Sequence, residues 1–156
     1  MASEKKKASK TLYYILFILY CAVMLWLLFD RKQYQFSDNH EEIWDYLVNL
    51  HPFKTIRGYL YVLQNREEAY LLGNAAINLV GNILIFIPYG IFLPYLFKRM
   101  RSFWKTILFG LLTVVCVELL QLVTLRGSCD IDDLILNMIG VLTGYVAYRV
   151  TYLKRE

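Results

Sequence analysis

The sequence predicts an all-α fold: an integral membrane bundle of four transmembrane helices, both termini cytoplasmic, with an extracellular amphipathic segment between helices one and two. Three observations predict it. The chain of 156 residues is 58% hydrophobic, with a mean hydropathy of +0.40, which is too apolar for an ordinary soluble core. Its apolar residues fall into four runs, each long enough at about 1.5 Å per residue to cross a hydrocarbon core of roughly 30 Å. Its basic residues form short clusters between those runs, which is a topology signal and not a nucleic-acid-binding face.

The first run, Thr11 to Phe29, follows KKKASK. It exceeds the usual apolar core of a signal peptide and no small-residue cleavage site follows it, so it reads as a retained anchor. The outer segment, residues 30–68, starts with a capping-box-like Asp38 and Glu41 and places Trp44, Leu47 and Val48 on one helical face. That pattern suits an amphipathic helix, either interfacial or packed over the bundle, which Pro52 ends. Arg57 to Gln64 carries alternating tyrosines and fits strand or helix. The second run, residues 69–97, is longer than one crossing requires, and Pro88, Gly90 and Pro94 are expected to kink or break it near 88–90. The third and fourth runs cover residues 103–125 and 131–153. No internal repeat is visible, and the four runs form one domain.

Direction follows from charge. The side holding both termini and the loop after span two carries Lys5, Lys6, Lys7, Lys10, Lys98, Arg99, Arg101, Lys105, Arg149, Lys154 and Arg155 against Glu4 and Glu156; the opposite side carries six basic and ten acidic residues. Cytoplasmic loops are the basic ones. The expected location is the cell membrane, with N and C termini cytoplasmic and the stretch RGSCDIDD outside.

Polar side chains inside the spans are the site candidates. Asn74, Asn78 and Asn82 recur every four residues, which places them on one helix face. Such a stripe is either interhelical glue or the lining of a polar cleft. Glu118 and Gln121 share a face of span three, and Glu118 lies about 22 Å along that helix, where a lone carboxylate costs several kcal/mol. Arg126, eight residues on, is the obvious cation: a continued helix puts it above Glu118, to clamp the carboxylate or hold an anionic ligand. Asp133 and Asn137 are one turn apart in span four, followed by Gly140 and Gly144, a face that lets another helix approach closely. Asp130, Asp132 and Asp133 also suit the start of a helix, as caps and dipole partners. All these groups fall in the outer half of their spans, which favours an outward-opening cleft between helices two, three and four. Cys21, Cys116 and Cys129 have neither disulfide nor metal spacing, and no metal or cofactor is expected.

Four blocks carry a resemblance: NLHPFKTI (Asn49–Ile56), NLVGNILIFIPYG (Asn78–Gly90), ELLQ (Glu118–Gln121) and RGSCDIDDLILNMIGVLTGY (Arg126–Tyr145). In these the chain resembles the VanZ-like membrane proteins, and the blocks cover most of it beyond span one. The resemblance implies a bacterial cell-membrane protein associated with resistance to teicoplanin and related glycopeptides. It singles out Asn78, Asn82, Pro88, Gly90, Glu118, Gln121, Arg126, Asp130, Asp133, Asn137 and Gly140. His51 departs from the pattern, standing where an apolar residue is common.

Three function classes follow. In the first, a non-catalytic cleft lined by Asn78, Asn82, Glu118, Gln121, Arg126, Asp130, Asp133 and Asn137 binds an envelope ligand, a lipid-linked cell-wall precursor or a glycopeptide antibiotic. The alternative is a membrane-embedded enzyme acting on lipid-linked precursors, with Glu118 as general base and Asp130 and Asp133 holding a divalent cation. No serine–histidine–acid set accompanies it. A transporter would need polar residues through the inner half, where Thr106, Thr113 and Thr143 are the nearest. The partners expected are the lipid bilayer and the envelope ligand, with no nucleic acid.

Overall fold

Apolar runs of this length must satisfy their backbone internally in a bilayer, and helices do so within each segment. The computed structural model describes residues 2–30, 47–65 and 69–152, and among them are five α-helices. They are α1 (Ala2–Phe29), α2 (Lys54–Gln64), α3 (Ala69–Leu96), α4 (Phe103–Val123) and α5 (Ile131–Tyr152), with a 3₁₀ turn at Lys98–Arg101. Two short strands, β1 (Val48–Asn49) and β2 (Cys129–Asp130), pair in parallel, Val48 with Cys129 and Asn49 with Asp130. All the helices except α2 are long and apolar enough to cross a membrane, which makes this a multi-pass membrane protein. They alternate in direction, so one end of the bundle carries Lys98–Arg101 and the other carries Asp130–Asp133. We call these the basic and acidic ends.

The amphipathic helix expected from Asp38 falls mostly outside the described residues. After it, Leu47 is buried and the backbone is extended at Val48. The undecided stretch Arg57–Gln64 is helical, as part of α2. Thr55, Ile56, Tyr59 and Val62 recur at helical spacing and form its half-buried face, and α2 packs along α3.

Of the kink or break expected near 88–90, a break does not occur: α3 continues through both Pro88 and Pro94. A proline removes one helical hydrogen bond and crowds the carbonyls before it, and neighbouring groups in a membrane bundle can compensate. Here the Tyr20 hydroxyl of α1 donates to the Ile85 carbonyl at 2.6 Å, three residues before Pro88. Pairs such as Phe17–Phe92 and Tyr13–Tyr95 pack α1 against the same half of α3.

The tightest contact is between α3 and α5, and glycine makes it. A Cβ at Gly90 would overlap the Val141 carbonyl oxygen; one at Gly140 would meet Ile83 O, and one at Gly144 would meet Ile87 O. The small-residue face expected at Gly140 and Gly144 therefore packs backbone on backbone. Met24, Leu28, Phe86, Tyr89, Leu93, Val114, Val117 and Val141 fill the space among α1, α3, α4 and α5.

Candidate functional site

The acidic end is organised by the way α4 stops. Thr124 closes the helix and Leu125 turns left-handed at φ 54°. The Leu125 N–H then bonds Leu122 O at 3.1 Å and the Arg126 N–H bonds Gln121 O at 3.0 Å. This pair of bonds is the Schellman arrangement, which reverses the chain. Arg126 thus leaves the helical line that was expected to put it above Glu118. Its exposed side chain crosses to α1 and its Nη1 donates to Phe29 O at 2.9 Å, while Gln121 Nε2 donates to Leu28 O at 2.9 Å. Both groups satisfy carbonyls that the end of α1 leaves open, and the guanidinium also suits the negative pole of that helix.

The three aspartates of the loop have three different partners. Asp130 caps α5: its Oδ1 accepts the Asp132 N–H at 2.8 Å and also the Asn49 Nδ2 at 3.1 Å. Its Oδ2 accepts the Thr55 hydroxyl at 2.6 Å, and Asn49 Nδ2 lies 3.1 Å from the same hydroxyl oxygen. Asp132, fully buried, caps a different helix. Its carboxylate accepts the N–H groups of Phe53, Thr55 (2.8 Å) and Ile56 (3.0 Å), the open donors at the start of α2. Asp133 accepts Asn82 Nδ2 at 2.7 Å and so joins α5 to α3.

The polar residues expected to line an open cleft among α3, α4 and α5 are largely buried there: Asn82, Glu118, Gln121, Asp130 and Asn137 are each no more than 6% exposed. Glu118 Oε2 accepts the Asp130 N–H at 3.4 Å. Asn137 is 1% exposed, and among the described residues its Oδ1 has no hydrogen-bond partner. The amide stripe divides, because Asn78 Nδ2 returns to Asn74 O at 2.8 Å in its own helix whereas Asn82 faces α5. A cavity of ≈ 380 Å³ lies between α1 and α3, lined by Leu27, Leu28, Ile77, Asn78, Gly81, Asn82, Leu84 and Ile85. Among the described residues no group of three or more His, Cys, Asp or Glu is placed to hold a metal ion. Asp130 and Asp133, the ligands that the enzymatic alternative required, are engaged with amide, hydroxyl and backbone donors.

Sequence reasoning missed Asn49 and Thr55 as partners of this loop, although both stand in the quoted NLHPFKTI block. The sequence pattern marks Asp132 only as a cap or dipole partner for its own helix.

Cys129 reports on the charge here. Burial pushes its thiol pKa up, and the negative charges of Glu118 and Asp130 push it further in the same direction. The thiol should stay protonated at neutral pH and alkylate slowly. In a chain whose Cys21 and Cys116 are serine, Glu118→Gln should move the alkylation profile of Cys129 to lower pH. An unmoved profile would mean that Glu118 carries no charge in the folded protein.

The chain matches the model of the family described as VanZ/LLP1 over residues 17–152, from within α1 to the end of α5. Protein VanZ of Enterococcus faecium is 28% identical over 136 residues, spanning 85% of this chain and 71% of that protein. No solved structure matches the chain. The matched stretch contains every residue of the acidic-end network and of the cavity, and the chain belongs to the VanZ/LLP1 family.

Proposed function

We propose that this protein sits in the bacterial cell membrane with both termini cytoplasmic and its acidic end outside. There it binds a cell-envelope ligand, most simply a lipid-linked cell-wall precursor, and so keeps it from glycopeptides such as teicoplanin. The charge distribution supports the orientation. One observation carries the binding: Asn78 and Asn82 border a largely apolar cavity, with Asn82 held in place by Asp133. An apolar site with a few placed polar groups suits an amphiphile, the walls supplying affinity and the amides orientation. Once Asn82 Nδ2 is committed to Asp133, its carbonyl oxygen remains as acceptor for a ligand hydroxyl or amide.

The test uses Asn78→Leu, which replaces the amide by an apolar group of similar size; among the described residues that amide bonds a carbonyl of its own helix, Asn74 O. Purified protein in nanodiscs doped with a lipid-linked cell-wall precursor should capture it. The variant should melt like the parent and bind about tenfold more weakly, the equivalent of one good hydrogen bond. In a sensitive host, expression of the parent should raise the teicoplanin concentration needed to stop growth, and the variant should not. Nanodiscs that retain no precursor would sink the reading.

A further inference from the structure

The close glycines of the bundle have evident reasons, since Gly90, Gly140 and Gly144 each meet a backbone carbonyl of the facing helix. Gly81 has none. A Cβ added there would find only the Ile77 Cγ2, at 3.9 Å, and the residue borders the cavity between α1 and α3. Glycine there leaves that wall of the cavity without a side chain, and a bulky residue at 81 would project into the space.

The shape of that space points to its occupant. Its α3 wall runs from Ile77 to Ile85, about 12 Å along the helix. Asn78 and Asn82 lie toward the acidic end, and Leu84 and Ile85 lie deeper in the span. Leu27, Ile77 and Leu84 are lining residues that are also exposed on the outer surface of the span bundle, so the space opens sideways toward lipid. The opposite wall is the last turn of α1, whose terminal carbonyls are held by Gln121 and Arg126.

We propose that this space seats the hydrocarbon chain of a membrane amphiphile, entering laterally between α1 and α3, with Gly81 as its floor and Asn78 and Asn82 beside the polar neck. The inference rests on the reading of the same site as a ligand site and names the part of the ligand that enters it. A glycerophospholipid and a polyprenyl carrier lipid share this chemistry.

Both sources can be tested in nanodiscs with photoreactive probes: a phosphatidylglycerol with a diazirine in its acyl chain, and a long-chain polyprenyl phosphate with a diazirine in its chain. At least one probe should label peptides holding Leu27–Leu28 and Leu84–Ile85, and which one does so identifies the source. Gly81→Trp should cut that labelling about tenfold, a loss of about 1.4 kcal/mol in occupancy. Gly81→Ala should leave it nearly unchanged, and both variants should melt like the parent. Labelling that survives Gly81→Trp would mark ordinary lipid at the protein surface and overturn the seat. A Gly81→Trp protein that melts well below Gly81→Ala would show that the chain itself already fills the space, which also overturns it. Labelling blocked by Gly81→Trp in a protein that never captures the precursor upholds the seat and removes the precursor reading. Labelling and capture that both survive Gly81→Trp remove the seat and leave the precursor reading standing.

Discussion

Gly144→Val should leave little folded protein. The added carbon atoms would overlap the Ile87 carbonyl, and even the Cβ alone lies 2.9 Å from Gly90 Cα. Overpacking typically costs about 1–3 kcal/mol because side chains can shift to relieve it. Here the obstacle is helix backbone on both sides, so relief requires moving α3 away from α5 along their whole contact. The expected loss is about 3 kcal/mol or more, and Gly140→Val, against Ile83 O, should behave alike. Glycines without neighbours give the control. Among the described residues nothing lies within 4 Å of a Cβ at Gly58 or Gly73, so alanine there should be neutral or stabilising by up to about 1 kcal/mol. Monodisperse yield in detergent and melting midpoints for the four variants decide the matter; a Gly144→Val protein that melts with Gly73→Ala would refute the backbone-on-backbone packing.

The four spans were legible because hydropathy and length are properties of each segment alone. The runs expected at 69–97, 103–125 and 131–153 end within a few residues of α3, α4 and α5. Gly140 and Gly144 were legible for a similar reason, since small residues at helical spacing declare a face wherever the partner lies. Features that depend on a second segment were not. Nothing in α3 says that Tyr20, 65 residues earlier, will attend to the carbonyl beside Pro88. Arg126 was expected over Glu118 because helix continuation was assumed, whereas Leu125 adopts a left-handed turn that leucine seldom marks in sequence. The amide stripe was visible, but the different partners of Asn78 and Asn82 depend on how α3 rotates against α5. Asp132 is the clearest case, because its partners are backbone N–H groups, which every residue but proline carries.

That aspartate supports the second large expected effect. Asp132→Ala would remove the acceptor for three N–H groups at the start of α2, and with it the negative charge at that helix's positive end. A donor left without a partner in a partly buried site costs roughly 1–3 kcal/mol, so the summed loss should reach about 3 kcal/mol even if water reaches some of them. Asp132→Asn should recover little: one oxygen remains, but the new amide nitrogen is itself a donor facing donors. The damage should be local first. Amide hydrogen exchange at Phe53, Thr55 and Ile56 should accelerate while α3 and α5 stay protected, because the glycine contact does not involve α2. Thr55→Val, which removes the hydroxyl bonded to Asp130, should cost about 1 kcal/mol. Combined with Asp132→Ala it should cost less than the sum, since both act through one docked helix. Unchanged exchange at the start of α2 in Asp132→Ala would show that the half-buried face of Thr55, Ile56, Tyr59 and Val62 holds the helix by packing alone. Released α2 would in turn leave Asn49 and Asp130 with one partner fewer at Thr55, loosening the β1–β2 pairing above Glu118. The alkylation rate of Cys129, which lies in that pairing, should therefore rise in Asp132→Ala and give a second readout of the same event.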